Sequence, residues 1–425
     1  MTLLAKVTLL FVVFVDLLGQ GLVFPIINTL IMDPATGFLP KAAGEPERHF
    51  KYGLVIGMFF LSWFLGVTYI SRVSDAIGRK NAILICLFGA LIGYAITIAS
   101  LYLNSIWLLI LGRSITGFTA GNQPIAQAAM IDGSTDNADR ARNMGYIITG
   151  VSFGLVGGPI IGAVLSDKSL LGNAATLELP FYGAFILVAI AIVLVLLFFT
   201  DIRTEREAFV FRPLEIIDLL RKVADKPLVM MLMPVYVVFM VANVTFYIFI
   251  DNYLTSAFGY GTLGGSMAML TIGVALAFSS TFLVAPAQRR FTKQNLIAFC
   301  LIAWLVGGVI FVLSPIALIC FIPIFFCYFM FGMGYPTILG LFSASVDDSE
   351  QGWVMGITTA VFTLAAGVMS LIGGSLMSID IKLPFYIVIV SAALGLLAIA
   401  LLWKKPAIAA LVSTKVPEET GDELV

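Results

Sequence analysis

The chain has 425 residues, 60% of them hydrophobic and only 12% charged, with a net charge of −1 and a mean hydropathy of +1.04. A water-soluble protein of this length carries about twice that charged fraction, so the composition excludes a soluble globule, and the lack of a basic surplus excludes a nucleic-acid-binding face. The single histidine, His49, excludes His-rich metal motifs, and no metal site is expected.

Apolar stretches of about 20 residues, long enough to cross a bilayer core, recur at roughly 5–30, 52–71, 82–103, 106–131, 143–166, 180–200, 227–250, 263–285, 294–313, 316–342, 353–377 and 383–403. Lipid cannot satisfy an open backbone, so such runs predict helices. The expectation is an all-α integral membrane protein with twelve transmembrane helices. Of the 24 Lys and Arg residues, 18 fall in segments that lie inside if both termini are cytoplasmic, as the positive-inside rule requires. The first run is too long for a cleavable signal and holds an acid. The four cysteines (Cys86, Cys300, Cys320, Cys327) lie in apolar runs and read as packing residues.

The first span, "FVVFVDLLGQGLVFPII", carries Asp16 in its middle. A charge at that depth costs roughly 2.5–3.5 kcal/mol on insertion scales, so an acid there marks a functional candidate. Gln20 lies one turn beyond, and Pro25 frees a backbone carbonyl. The following segment, 31–51, is long and rich in Pro and Gly; it reads as a flexible connector or a cover for the outer mouth.

The turn "SRVSDAIGRKNAIL" between spans two and three holds Asp75, Gly78, Arg79 and Lys80. The cations suit a cytoplasmic turn. Asp75 is surplus to that role, and Arg142 at the start of span five is a candidate partner in a cytoplasmic gate.

Span four contains Arg113, the only other formal charge well inside a span. Counting helical rise places Asp16 and Arg113 at levels differing by about 4 Å. Two roles fit the pair: a static link between helices one and four, or a proton-coupling site in which a cation tunes a titratable acid. In span five, Gly150, Gly154, Gly158 and Gly162 fall at four-residue spacing beside Pro159. That stripe fits close helix packing or a hinge surface.

The segment 201–226 splits the spans six and six, and its 213–224 stretch patterns as an amphipathic helix, lying on the inner membrane face or serving as a solvated linker. "DNADRARNMG" and "DDSEQGWVMG" precede equivalent spans, and Cys86 aligns with Cys300. Two pseudo-repeated six-helix bundles are therefore expected, at 1–200 and 227–403, with a cytoplasmic tail at 404–425.

These residues resemble those of the major facilitator superfamily, and most of all its twelve-helix drug/proton antiporters of the tetracycline/proton exporter type. The superfamily's signature turn is similar to the one carrying Asp75, Gly78, Arg79 and Lys80, with Ser71 and Ala76 departing from it. "LGRSITGFTAGNQPIAQA" resembles the fourth-helix motif, whose arginine is Arg113, and Gly150–Pro159–Gly162 resembles the antiporter motif of helix five. "DLLGQGLVFP" resembles the first-helix motif, with its acid at Asp16. The tetracycline exporters carry a second acid in helix three where this chain has Gly93, and titratable groups in later spans where this chain shows none. The resemblance therefore implies coupling through Asp16 alone.

It also implies a central cavity lined by helices one, four, seven and ten. On those helices Gln20, Asn122, Gln123, Tyr236, Met240, Asn243, Tyr247, Tyr328 and Tyr335 recur at helical spacing. Few polar anchors in an apolar cavity suit an amphipathic ligand. The expected function is a proton-coupled antiporter exporting a small amphipathic compound, monomeric, embedded in membrane lipid of a bacterial inner membrane. It would need no cofactor beyond the proton gradient. A carrier of a specific metabolite such as a siderophore is the alternative on the same fold; a polytopic membrane enzyme lacks its clustered nucleophiles.

Overall fold

The structure is a computed structural model that describes residues 1–135, 137–166, 171–201, 221–347 and 350–413. Helices dominate these residues, and none is a strand. α1 (Leu3–Met32) starts at Thr2, whose hydroxyl accepts the Ala5 N–H at 3.3 Å, and runs through Pro25. α2 (Glu45–Ile77) ends at Gly78, whose φ of +94° favours glycine, and α3 (Arg79–Tyr102) starts directly after it. Then come α4 (Ile106–Phe118), α5 (Asn122–Asp132), α6 (Asn137–Ser166) and α7 (Leu179–Phe198). α8 (Pro227–Phe258) is followed by α9 (Thr262–Phe278), which passes through a π-helical turn at Ser279–Leu283 into α10 (Val284–Arg290). α11 (Lys293–Leu313), α12 (Ala317–Ser343), α13 (Gln351–Met377), α14 (Leu383–Leu402) and α15 (Pro406–Ser413) complete the chain.

Among the described residues, 11 helices are long and apolar enough to cross a membrane. The fourth expected span is different: it is not one helix but two, α4 and α5, interrupted at Thr119–Gly121. The cause is local. Thr116 and Thr119 hydroxyls bond back to the carbonyls of Gly112 (2.8 Å) and Ile115 (2.9 Å), a pattern that bends helices. Pro124 lacks the N–H that would continue the ladder and fits the first turn of a new helix.

By packing, the chain divides into two units. The first comprises Met1–Pro213, Tyr247–Gly273 and Thr363–Pro384; the second comprises Leu214–Phe246, Val274–Phe362 and Phe385–Val425. In the first unit α1 packs along α6. A Cβ on Gly150, Gly154 or Gly158 would meet the carbonyls of Leu10 (3.0 Å), Phe14 (2.7 Å) and Leu18 (2.6 Å), so the stripe lets two backbones touch. α6 continues unbroken through Pro159 to Ser166, and Gly162 lies against Leu22. α3 and α4 approach equally closely: Cβ positions on Gly93 and Gly112 each lie 2.8 Å from the other residue's carbonyl oxygen.

The 31–51 segment is no loose connector. Pro34–Thr36 forms a 3₁₀ turn, Phe38 and Leu39 are buried, and the buried Arg48 donates to the carbonyls of Ile31 (2.6 Å), Ala43 (3.1 Å) and Pro40 (3.4 Å). One guanidinium fork thus ties three backbone points together.

The second unit is built around aromatic rings. Phe246 packs edge-on to Trp304, Phe311 and Phe385, and Trp304 packs edge-on to Tyr328. The Trp403 indole donates to the Met231 carbonyl at 3.3 Å. α15 buries Ile408 and Val412, so the start of the 404–425 tail is packed helix. Cys86 Sγ lies 3.6 Å from the Cβ position of Gly121, and Cys300 Sγ lies 3.1 Å from that of Gly334. Of the expected amphipathic 213–224 stretch, 213–220 lies outside the described residues, and 221–225 is helical.

Candidate functional site

In the first unit a small chamber opens between α1, α2, α3, α4 and the start of α5. Asp16, Gly19, Gln20, Phe59, Tyr94, Arg113, Thr116 and Asn122 are among its walls. The chamber's volume is about 20 Å³ for water centres, enough for about one water molecule. It is too small for a drug-sized ligand.

Asp16 sits at the break between α4 and α5. Its carboxylate is approached by the Asn122 side-chain amide and by the backbone N–H of Gln123, the first two residues of α5. That helix has no side-chain cap of its own, because Gly121 occupies the N-cap position. A helix N-terminus presents unpaired N–H donors and a partial positive charge. Asp16, from a different helix, places its carboxyl near that terminus.

Arg113 is 1% exposed, and its guanidinium lies 4.3 Å over the ring of Phe59. Its Nε has no hydrogen-bond acceptor. The expected proximity to Asp16 is realised through the shared chamber rather than by direct pairing. Tyr94 from α3 feels the charge of both residues, and its hydroxyl packs against the Cα of Gly19, where any side chain would collide with it. Asp16, the Tyr94 hydroxyl and the Arg113 guanidinium thus share one chamber, in which Arg113 is a fixed positive charge.

The expected cavity residues divide by unit. Gln20 and Asn122 line the chamber, while Gln123 is half-buried beside it. Tyr247, half-buried in the first unit, stands edge-on to Phe24 at 5.3 Å. In the second unit Tyr236 donates to the Thr358 carbonyl (3.0 Å) against Phe342, Met240 is buried, and Tyr328 reaches the Asn243 carbonyl at 3.4 Å. The Asn243 side-chain oxygen has no donor, and half-buried Tyr335 stacks on Phe331 at 5.2 Å.

The candidate gate resolves into three clusters. Arg79 reaches Asp75 (2.7 Å), Asp132 (3.2 Å) and Ser74 (2.9 Å), tying the α2–α3 turn to the end of α5. Beneath Gly78, Asp201 accepts the Lys80 N–H at 2.8 Å, and Lys80 Nζ donates to the Leu196 carbonyl. Arg142 pairs with Asp139 (2.6 Å), which also binds Lys6 of α1 (3.0 Å). Asp75 and Arg142 therefore each hold a partner close in sequence, because spacings of four and three residues bring those pairs onto one face. Arg142 and Lys6 hold the Asp139 carboxyl well below the usual carboxylate range.

Sequence patterning missed two residues. Tyr94 looked like one more aromatic in an apolar helix. Asp251 overturns the expectation that the later spans hold no titratable group: α8 continues to Phe258 and buries it, 1% exposed. Its signal was the "DN" pair flanked by apolar residues.

Residues 9–334 match the profile of the Major Facilitator Superfamily. The chain is 27% identical over 368 residues to the class C tetracycline resistance protein of Escherichia coli, covering 85% of this chain and 87% of that protein. It is 24% identical over 419 residues to multidrug resistance protein 1 of Bacillus subtilis (strain 168), covering 93% and 95%. Its fold superposes on the human organic anion transporter MFSD10 (TETRAN) with a TM-score of 0.70 at 18% identity, over 94% of this chain and 99% of that one. The D-xylose–proton symporter superposes with a TM-score of 0.69 at 15% identity, covering 94% and 97%.

Proposed function

Because the chain belongs to the major facilitator superfamily, and is a multi-span membrane transporter of small molecules rather than an enzyme, we propose that it exports an amphipathic compound from the bacterial cytoplasm across the inner membrane in exchange for protons. The observation that carries this reading is the position of Asp16 at the α5 N-terminus, in a chamber with room for about one water.

An ionised Asp16 is held by the Asn122 amide, the Gln123 N–H and the dipole of α5. A protonated Asp16 loses most of that attraction, and α1 is then free to shift against the half-helix. One proton thus biases two arrangements of the same elements, as alternating access requires. Tyr94 supplies a neighbouring hydroxyl through which the proton enters or leaves, and Arg113 a fixed positive charge that favours the ionised acid.

Relatives named for resistance to tetracycline, to multiple drugs and to quinolones support a xenobiotic substrate and outward transport. Tetracycline itself is disfavoured. The helix-three acid of the exporters that the sequence resembles has Gly93 in its place here, packed against Gly112 and Thr116 with no space for a side chain.

The test uses Asp16→Asn in proteoliposomes with an imposed pH gradient. Substrate should still bind while gradient-driven accumulation disappears. Accumulation at the wild-type rate would overturn the assignment.

A further inference from the structure

The mechanism above leaves one buried carboxyl unused. Asp251 of α8 lies in the first unit, in a polar nest formed with α1, α2 and α9. Both of its carboxyl oxygens are buried and neither has a hydrogen-bond partner. Asn28 of α1 approaches the carboxyl; one hydrogen of its amide goes to Thr255 at 2.7 Å, and its own side-chain oxygen is left without a donor. Tyr52 of α2 is within electrostatic reach, but its hydroxyl donates to the Ile248 carbonyl at 2.8 Å. From α9, Gly265 presses its Cα against the carboxyl, where any side chain would collide.

Among the described residues no cation pairs with the group. Arg48 is spent on three carbonyls, Lys51 pairs with Glu47, and His49 faces Asn252 and Glu45. A buried carboxylate with no cation and no well-formed hydrogen bond is among the costliest arrangements a protein can hold.

We propose that Asp251 is a second proton-binding site, occupied while this nest is packed shut and emptied when the ends of α1, α8 and α9 separate and water enters. A proton on one Asp251 oxygen makes it a donor, and the orphaned Asn28 oxygen is the acceptor it lacks. On opening, that O–H bond breaks, the proton passes to water, and the ionised carboxylate is hydrated. A small metal cation is the competing occupant. The nest favours a proton, because Gly265 fills the space beside the carboxyl and no group of His, Cys, Asp and Glu fit to hold a metal occurs among the described residues.

The Lys and Arg distribution puts this end outside, so low external pH would hold it closed. Thr29 and Thr262, hydrogen bonded at 2.8 Å across α1 and α9, report on that closure.

Infrared difference spectroscopy on the full-length purified protein tests the site directly and does not depend on Asp16 coupling transport. At neutral pH the carbonyl stretch of a protonated carboxylic acid should be present in wild type and in Asp16→Asn, and one component should vanish in Asp251→Asn. Identical spectra for wild type and Asp251→Asn would overturn the proposal. So would a carboxylate band that shifts on adding sodium, which would assign the nest to a metal cation. If Asp251→Asn fails to assemble, Asp16→Asn decides alone: a remaining protonated-acid band supports the site, and none overturns it. In a Thr262→Cys background, labelling by a membrane-impermeant maleimide should rise several-fold as external pH rises, beyond the reagent's own pH dependence. That extra rise should disappear when Asp251→Asn is added, and its persistence would overturn the link between Asp251 and closure.

Discussion

The carboxylate of Asp16 lies at the first turn of α5 against the side-chain amide of Asn122. Two helices of one bundle are therefore joined by an acid and a broken-helix terminus, and the strength of that junction depends on the acid's charge. Asn122→Leu removes one donor without adding a charge. Losing a hydrogen bond to a charged group costs about 1.5–3 kcal/mol, which depopulates the ionised junction at least about tenfold. Gradient-driven uptake into inverted vesicles should fall by about that factor while counterflow exchange stays near wild type; equal losses in both assays would show damage to substrate binding instead.

Arg113 keeps its charge but loses its shape in Arg113→Lys. The guanidinium lies flat over Phe59 beside the chamber, and a compact ammonium reproduces neither the stacking nor the planar fork. Uphill transport should fall strongly despite the conserved charge. Tyr94→Phe, which deletes only the hydroxyl that shares the chamber with Asp16 and Arg113, should produce a milder loss of about tenfold and slow proton uptake in a stopped-flow pH assay. Wild-type proton uptake in Tyr94→Phe would remove that hydroxyl from the path.

Asp16 and Arg113 were legible in the sequence because a charge in an apolar run stands out against the cost of putting it there. The glycine stripe was equally visible, since four-residue spacing maps onto one helix face. The break between α4 and α5 was hidden because charge-free residues continue across positions 119–123; Thr116, Thr119, Gly121 and Pro124 signalled it, and each is common in unbroken membrane helices. Asp251 was hidden for the opposite reason. It stands at the edge of an apolar run and read as the start of a loop, whereas α8 continues to Phe258 and stops at Gly259, in the left-handed conformation with φ +70°.

Gly157 and Gly158 are neighbours with opposite tolerance. A Cβ on Gly157 would make an ordinary 3.6 Å contact with Phe14, whereas one on Gly158 would lie 2.6 Å from the Leu18 carbonyl oxygen and 3.1 Å from the Gly21 Cα. Gly157→Ala should unfold like wild type. Gly158→Ala must push α6 away from α1, and overpacking of this kind costs about 1–3 kcal/mol. Thermal unfolding in detergent separates them, and equal midpoints would mean that α1 and α6 are less closely seated than the structure has them.

The Lys6–Asp139–Arg142 cluster fastens the start of α1 to the start of α6, and its pH dependence has a definite sign. Arg142 and then Lys6 hold the Asp139 carboxyl far below its ordinary value of 3.8. A group whose value is lowered on folding contributes its full stabilisation above the unfolded value, and loses it as pH falls from there through the folded value. Asp139→Asn should therefore lower the unfolding midpoint by a constant amount from about pH 8 down to about pH 5, narrowing only in stronger acid. The fastening is then insensitive to pH between about 8 and 5, where a proton-coupled carrier would work. A deficit that already shrinks between pH 7 and pH 6 would place Asp139 among the titrating groups of the transport cycle.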